Sequence, residues 1–192
     1  ILGGLAVVAP PGGPSRRPEG ASVANAIASL RPLRRVEQPG TLEGGDVLRI
    51  GDRLFVGRSS RTNEQGIDQL RKLVGPHGYT VASVEIERCL HLKSAASLVA
   101  NDTVLVNRLH VDPRAFGDVE LVEVDPSEPW AANALRVGEV VILPAAYPRT
   151  RERLEHRGLS TVAVGVSEIA KAEGGVTCCS LILDSGPWMF KR

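Results

Sequence analysis

The sequence predicts an α/β fold of repeated units, each consisting of a β-hairpin, a loop, a helix and a strand. Three hairpins are indicated, because pairs of short apolar or alternating runs flank tight turns. They cover residues 47–57, 97–107 and 134–143. Self-similarity of this kind is typical of architectures in which each unit buries its apolar face against its neighbours. We therefore expect three hairpin-led units around a central site, with an incomplete unit at each end.

The elements before the second hairpin follow from local patterns. Strands are predicted at residues 5–9 and 33–36, with a helix at 22–30 between them. Residues 59–63 are rich in Ser, Thr and Asn, which favour helix N-termini. They are expected to cap a helix at 64–73, where apolar residues recur every three or four positions.

The C-terminal third is expected to continue the pattern. After the third hairpin, a helix is predicted at 149–156 and a strand at 161–164. A charged, helix-like segment at 167–171 leads to Gly-Gly-Val-Thr-Cys-Cys-Ser at 174–180. The apolar residues 181–183 are predicted to be a strand.

The stretch around Cys178 is the first candidate for chemistry. Glycines before a strand allow the backbone to approach a ligand closely. A thiol at that position can be held at the edge of a pocket. We interpret the stretch as carrying a cysteine nucleophile, with His91 as the candidate base.

The bulk composition narrows the class of protein. The 192 residues are 43% hydrophobic and 23% charged, with a net charge of +1, which gives no reason to expect nucleic acid or an acidic membrane as a partner. No run approaches the about 20 apolar residues of a membrane span. Three cysteines, two of them adjacent, make a poor disulfide framework. We expect a single domain over residues 1–192, in the cytoplasm.

Five motifs occur in order along almost the whole chain. They are Leu-Glu-Gly-Gly-Asp-Val-Leu at 42–48, Phe-Val-Gly at 55–57, Ser-Arg-Thr-Asn at 60–63, Leu-His-Leu-Lys-Ser at 90–94 and Thr-Cys-Cys-Ser at 177–180, preceded by Pro-Ser-Arg-Arg at 14–17. Together they resemble the dimethylarginine dimethylaminohydrolase family of the guanidine-modifying, or pentein, superfamily. The resemblance implies a pentein fold of five ββαβ-type units around a pseudo-fivefold axis.

The resemblance also implies a reaction, the hydrolysis of Nω-methylated L-arginine to L-citrulline and methylamine through a covalent cysteine intermediate. By matching motifs, it implies that Cys178 is the nucleophile, His91 the general acid/base and Glu43 the carboxylate that orients His91. These residue types suit the chemistry, because a guanidinium carbon is a poor electrophile and needs a thiolate nucleophile and a protonated leaving amine. No cofactor and no metal are implied.

Substrate binding follows from the same resemblance. Arg16 and Arg61 correspond to the pair that binds the substrate α-carboxylate, for which guanidinium groups are a geometric match. The backbone of Ala172 corresponds to the contact with the α-amino group. Lys93 stands where arginine deiminases carry an aspartate, which favours a methylated substrate over free arginine.

Two other functions stay open: an arginine-deiminase-like hydrolase of free arginine, and a non-catalytic pentein that binds an amino acid or a partner protein. A zinc site of Cys178, Cys179 and His91 is conceivable, although adjacent cysteines have poor ligand spacing. The family's N-terminal portion, with an aspartate that binds the guanidinium, would precede Ile1. We therefore expect an incomplete ring with exposed strand edges, and association of the chain with itself or with another segment.

Overall fold

The computed structural model describes residues 1–16, 18–178 and 180–183. Its strands are β1 (Ala6–Val8), β2 (Leu33–Arg35), β3 (Val47–Ile50), β4 (Arg53–Arg58), β5 (Thr80–Glu85), β6 (Ala96–Leu98), β7 (Thr103–Val106), β8 (Glu120–Glu123), β9 (Leu135–Val137), β10 (Val140–Pro144) and β11 (Ser160–Val164). Its helices are α1 (Glu19–Ala28), α2 (Glu64–Val74), α3 (Leu92–Ala95), α4 (Pro148–Glu155) and α5 (Ser167–Ala170).

The described residues form three copies of one three-stranded sheet and a smaller two-stranded one. In each copy a hairpin is extended by a parallel strand: β3 pairs antiparallel with β4, and β4 pairs parallel with β5. The same arrangement recurs in β6–β7–β8 and β9–β10–β11. The connections to the parallel strand contain α2, a 3₁₀ turn at Pro113–Phe116 and α4. The three predicted hairpins are therefore confirmed, and the units repeat, but the second unit has a 3₁₀ turn where a helix was expected.

The remaining sheet joins β1 and β2 in parallel, with α1 between them. Among the described residues it lacks the antiparallel hairpin strand of the other three sheets. α1 begins at Glu19, three residues before the predicted start.

Local capping sets the start of α2. The side chain of Asn63 accepts a hydrogen bond from the amide of Gly66 at 2.9 Å, as expected of an N-cap. The apolar face of α2, with Ile67, Leu70 and Val74, is buried. The predicted cap and helix are confirmed.

The prediction of a strand at residues 181–183 was wrong, because these residues have irregular backbone. Leu181 and Ile182 are exposed, and no strand among the described residues pairs with them. An apolar run becomes a strand only when a partner satisfies its backbone N–H and C=O groups.

Three apolar clusters lie between neighbouring units. Leu54, Ile67 and Val74 pack with residues around β1 and β2. Phe55 of β4 packs edge-to-face on Phe116, with ring centroids 5.3 Å apart, and joins the first two units. A third cluster, including Leu105, Leu143 and Leu154, joins the second and third units. Each unit thus buries its apolar face against the next, as expected of a repeat architecture.

This arrangement places several loops at one end of the sheets. Loops that follow the carboxyl ends of neighbouring parallel strands meet at the same edge. The loops after β1, β2, β4 and β5 carry Arg16, Glu43, Arg61 and His91. No helix in the described part of the chain is long and apolar enough to cross a membrane. That all 192 residues form one domain stays a prediction.

Candidate active site

A buried carboxylate and an imidazole form the centre of the site. Glu43 is extended and precedes a 3₁₀ turn at Gly44–Asp46, while His91 is extended and precedes α3. His91 Nε2 lies 2.8 Å from Glu43 Oε2, and only 6% of the Glu43 side chain is exposed. An ionised carboxylate can only accept, so this contact assigns the hydrogen to Nε2. Nδ1 is then the nitrogen that can accept a proton from another group.

The face of the imidazole is held by the backbone of Gly45. A Cβ at this position would lie 2.8 Å from Cγ of His91 and 3.0 Å from its Nδ1. Only glycine allows such a close approach without displacing the ring. Gly45 therefore helps to fix the orientation of His91.

Two guanidinium groups approach the same carboxylate. Arg16 Nη1 donates to Glu43 Oε2 at 3.4 Å, and Arg61 Nη1 lies 4.0 Å from Glu43 Oε1. Glu43 Oε1 is buried without a hydrogen-bond partner among the described residues. Arg16 also donates to Glu19, and this bond is the main cause that raises the pKa of Arg16. The structure therefore brings both predicted arginines to the Glu43–His91 pair.

Cys178 lies in a loop after α5 and is exposed. Its Sγ accepts a hydrogen bond from the amide of Gly175 at 2.9 Å and lies 3.1 Å from the carbonyl oxygen of that residue. Negative charge on Cys178 contributes to raising the pKa of Arg16 and acts in the same direction on Lys93. The thiol is thus within electrostatic range of two cations of the site.

The loop of Cys178 is tied to the third unit by Asn133. Asn133 Nδ2 donates to Thr177 Oγ1 at 3.0 Å, and the amide of Thr177 donates to Asn133 Oδ1 at 3.3 Å. A Cβ on Gly175 would lie 2.6 Å from Asn133 Oδ1, so glycine allows this close approach. The sequence predicted that this glycine stretch approaches a ligand closely. In the structure, the close approach of Gly175 is to the side chain of Asn133.

The other predicted positions are placed as follows. Ala172 lies in the turn after α5, where its amide donates to the carbonyl oxygen of Ile169 at 3.0 Å. Arg17 and Cys179 lie outside the described residues. The alternative of a zinc site needs Cys179, so the structure describes only two of its three ligands, Cys178 and His91. Within the described ranges no group of three or more His, Cys, Asp or Glu could hold a metal ion.

Comparisons with known proteins identify the family of this chain. A family model described as arginine deiminase matches residues 29–129. Over 178 residues the chain is 36% identical to N(G),N(G)-dimethylarginine dimethylaminohydrolase of Pseudomonas aeruginosa, covering 92% of this chain and 70% of that protein. The chain belongs to the dimethylarginine dimethylaminohydrolase family. The family's enzyme of the same name from Streptomyces coelicolor is 40% identical over 185 residues, covering 95% of this chain and 70% of that protein.

Solved structures of dimethylarginine dimethylaminohydrolases confirm the pentein fold. A cysteine-to-serine variant of the P. aeruginosa protein in complex with citrulline superposes with a TM-score of 0.87 at 34% identity. The match covers 92% of this chain and 70% of that one. The predicted enzyme class, hydrolases acting on the C–N bonds of amidines, is confirmed for the family.

Sequence reasoning missed two residues, Asp46 and Asn133, whose hydrogen bonds hold the segments that carry the candidate site residues. Asp46 is fully buried and accepts bonds from Ser59 and Thr62. Asn133 was not singled out at all. The available signal was weak, because each is a common polar residue in a turn or loop and its partners lie 13 to 44 positions away.

A separate cleft of about 350 Å³ lies beside α1 and the carboxyl ends of β1 and β2. None of the six predicted site residues lines it. The Glu43–His91 pair therefore lies outside this cleft.

The thiols of Cys178 and Cys89 are expected to react at different rates. Burial raises the pKa of Cys89 to about 11, and its Sγ contacts the carbonyl oxygen of His91 at 3.5 Å. At about pH 7.5 only roughly one Cys89 thiol in 3,000 is then the reactive thiolate. In a Cys179→Ser background, iodoacetamide should modify the exposed Cys178 at least about 100-fold faster, as followed by peptide mass spectrometry. Equal rates would contradict the burial of Cys89.

Proposed function

We propose that the chain hydrolyses Nω-methylated L-arginine to L-citrulline and methylamine, or dimethylamine from an asymmetrically dimethylated substrate. The relatives named dimethylarginine dimethylaminohydrolase and the citrulline complex of one of them support this substrate class. The observation that carries the proposal is the 2.8 Å pair of His91 and buried Glu43, with Arg16 and Arg61 beside the same carboxylate.

In the first half of the reaction, the thiolate of Cys178 attacks the guanidinium carbon and a C–S bond forms. The C–N bond to the methylated nitrogen breaks, and His91 donates a proton to the departing amine. Glu43, at 2.8 Å, stabilises the imidazolium form that supplies this proton. The product on the enzyme is a cationic S-alkylthiouronium.

In the second half, a water molecule attacks the same carbon while neutral His91 accepts one of its protons at Nδ1. The proton that remains on the attacking oxygen passes to solvent as the C–S bond breaks, which releases citrulline and regenerates the Cys178 thiolate. The amide of Gly175, 2.9 Å from Sγ, donates to sulfur and helps to hold it in the loop. One imidazole thus serves as acid and then as base, with Glu43 fixing its tautomer throughout.

The amino-acid end of the substrate would be bound by Arg16, Arg61 and Ala172. The outer edge of Arg16 now binds Glu19, an exposed residue whose contact adds little stability and can be exchanged for a substrate carboxylate. The amide of Ala172 is already used, and an ammonium group can only donate. The carbonyl oxygen of Ala172 is therefore the atom proposed to accept from the α-amino group.

Lys93 supports a methylated substrate over free arginine. Its Nζ donates to the carbonyl oxygen of Gly44 at 3.0 Å, next to Glu43. Burial lowers the pKa of Lys93, while the negative charges of Asp46 and Cys178 oppose that shift. A lysine at this position provides no carboxylate that could bind the unmethylated guanidinium nitrogens of free arginine. The arginine deiminase family match keeps free arginine as the second candidate substrate.

The deciding experiment measures products from asymmetric dimethylarginine, monomethylarginine and arginine. Citrulline is quantified together with dimethylamine, methylamine and ammonia. The proposal predicts methylated amines in equal amount to citrulline, and kcat/KM at least about tenfold lower for arginine, which corresponds to about 1.4 kcal/mol. Ammonia from arginine as the main product would favour the deiminase reaction, and no citrulline from any substrate would favour the non-catalytic alternative.

The remaining parts of the proposal concern the surroundings of the enzyme. We propose a cytoplasmic location, which rests on the cysteine content.

Association of the chain with itself or with another segment also stays a prediction. A clean monomer by light scattering, together with a cooperative melt, would contradict it.

A further inference from the structure

Asp46 is a buried carboxylate that the reaction itself does not use. Its exposed fraction is 0%, and it ends the 3₁₀ turn that begins one residue after Glu43. Its Oδ2 accepts from Ser59 Oγ and from Thr62 Oγ1, both at 2.7 Å. Its Oδ1 accepts from the amide of Leu92 at 3.0 Å. Asp46 therefore joins segments that are 13 to 46 residues apart.

Each of these three bonds leads to one residue of the proposed active site. Thr62 Oγ1 accepts from the amide of Glu43 at 3.0 Å while it donates to Asp46. Ser59 Oγ accepts from the amide of Arg61 at 3.0 Å while it donates to Asp46. The third bond binds the amide directly after His91. One carboxylate thus anchors the backbone at Glu43, Arg61 and His91.

The direction of these bonds requires an acceptor with two equivalent oxygens. The Ser59 and Thr62 hydroxyls accept from backbone amides, so each donates its own proton to Asp46. The Leu92 amide can only donate. Asparagine would turn an NH₂ group either toward the Leu92 amide or toward the two hydroxyls, and would leave a buried donor unpaired.

We propose that Asp46 is a positioning residue, which sets the backbone of Glu43 and His91 for chemistry through Thr62 and Leu92, and that of Arg61 for substrate binding through Ser59. The inference rests on the proposed roles of Glu43, His91 and Arg61. Burial raises the pKa of Asp46, whereas the bonds from Thr62 and Ser59 oppose this shift.

Variants that each remove one of the hydroxyl groups bonded to Asp46, here called single-arm variants, separate a positioning role from a general effect on stability. Thr62→Val removes the partner of the Glu43 amide, so kcat should fall about tenfold with KM within about twofold. Ser59→Ala removes the partner of the Arg61 amide, so KM should rise about tenfold with kcat within about twofold. Asp46→Asn should change both and lower kcat/KM about 100-fold. Thr62→Ser keeps the hydroxyl and should restore kcat to within about threefold.

Matched controls lie on the same sheets but away from the network. Asp52→Asn changes an exposed carboxyl in the turn between β3 and β4. Thr103→Val removes a hydroxyl that donates to Glu120 at 3.2 Å, on β7. Both should keep kcat and KM within about twofold of the parent chain, although Thr103→Val lowers the melting temperature. Equal effects in the controls and in the network variants would overturn the proposal.

A second readout needs no turnover. Amide hydrogen exchange by NMR should become at least about tenfold faster at Glu43 in Thr62→Val and at Arg61 in Ser59→Ala, but not the reverse. If the parent chain releases no citrulline, the proposed function fails, and this exchange pattern alone decides the positioning role. Unchanged exchange at both amides overturns it, as does a parent-like kcat and KM in both single-arm variants. If Asp46→Asn does not fold, the single-arm variants still decide.

Discussion

Cys178→Ser is expected to lower citrulline formation from asymmetric dimethylarginine by at least about 1,000-fold, because a serine hydroxyl is a far weaker nucleophile toward a guanidinium carbon than a thiolate. Binding should survive, since the variant keeps the Gly175 amide and the arginines that are proposed to hold the substrate. Calorimetric titration of the variant with asymmetric dimethylarginine should therefore still detect binding.

Cys179→Ser is the matched control, because it makes the same atomic change one residue away. It should retain at least about half of the activity of the parent chain if Cys178 alone is the nucleophile. Mass spectrometry of the parent after rapid quenching should show a substrate-derived adduct on Cys178. Loss of activity in Cys179→Ser with retention in Cys178→Ser would reassign the nucleophile, and full activity in both would rule out covalent catalysis by this pair.

The fold was predictable where the signals are local. The hairpins β3–β4 and β9–β10 turn at Gly51 and Gly138, both with positive φ, and glycine in such a turn is a strong hairpin signal. The strands β5 and β8 were not predicted. Each pairs in parallel with a hairpin strand more than ten residues earlier, and the turn glycines before them, Gly78 and Gly117, do not indicate which strand they pair with. Such pairings depend on the tertiary structure, which a local pattern does not show.

The site was predictable where the resemblance supplied a motif. Glu43 and His91 were assigned in this way, and the structure places them in contact although 48 positions separate them. The supporting contacts of Gly45 and Asp46 were not foreseen, because they arise from distances in three dimensions. The role of Gly45 depends on the position of the His91 imidazole ring above it. The role of Asp46 depends on hydrogen-bond donors that come from separate segments of the chain. Neither is encoded in the spacing of nearby residues.

Glu43→Gln is expected to lower kcat by about 1,000-fold or more with a smaller change in KM. The amide keeps the size of the carboxylate but loses the charge that stabilises the His91 imidazolium at 2.8 Å. It can also present NH₂ to Nε2 and favour the wrong tautomer. Steady-state kinetics with monomethylarginine, with citrulline as the readout, check this expectation. Glu43→Asp keeps the charge but has a shorter side chain, so its kcat should lie between those of the parent chain and of Glu43→Gln.

Glu128→Gln is the matched control for this change. Glu128 is as buried as Glu43 and accepts from the amides of Arg149 and Thr150 at the start of α4, away from the site. Its substitution should lower the free energy of unfolding by about 1 kcal/mol, as the loss of a helix cap does, with kcat within about twofold. A similar loss of kcat in both variants would mean that Glu43 acts through stability alone. A loss confined to Glu43→Gln would instead assign the buried carboxylate to the chemistry of His91, because only that position faces the imidazole.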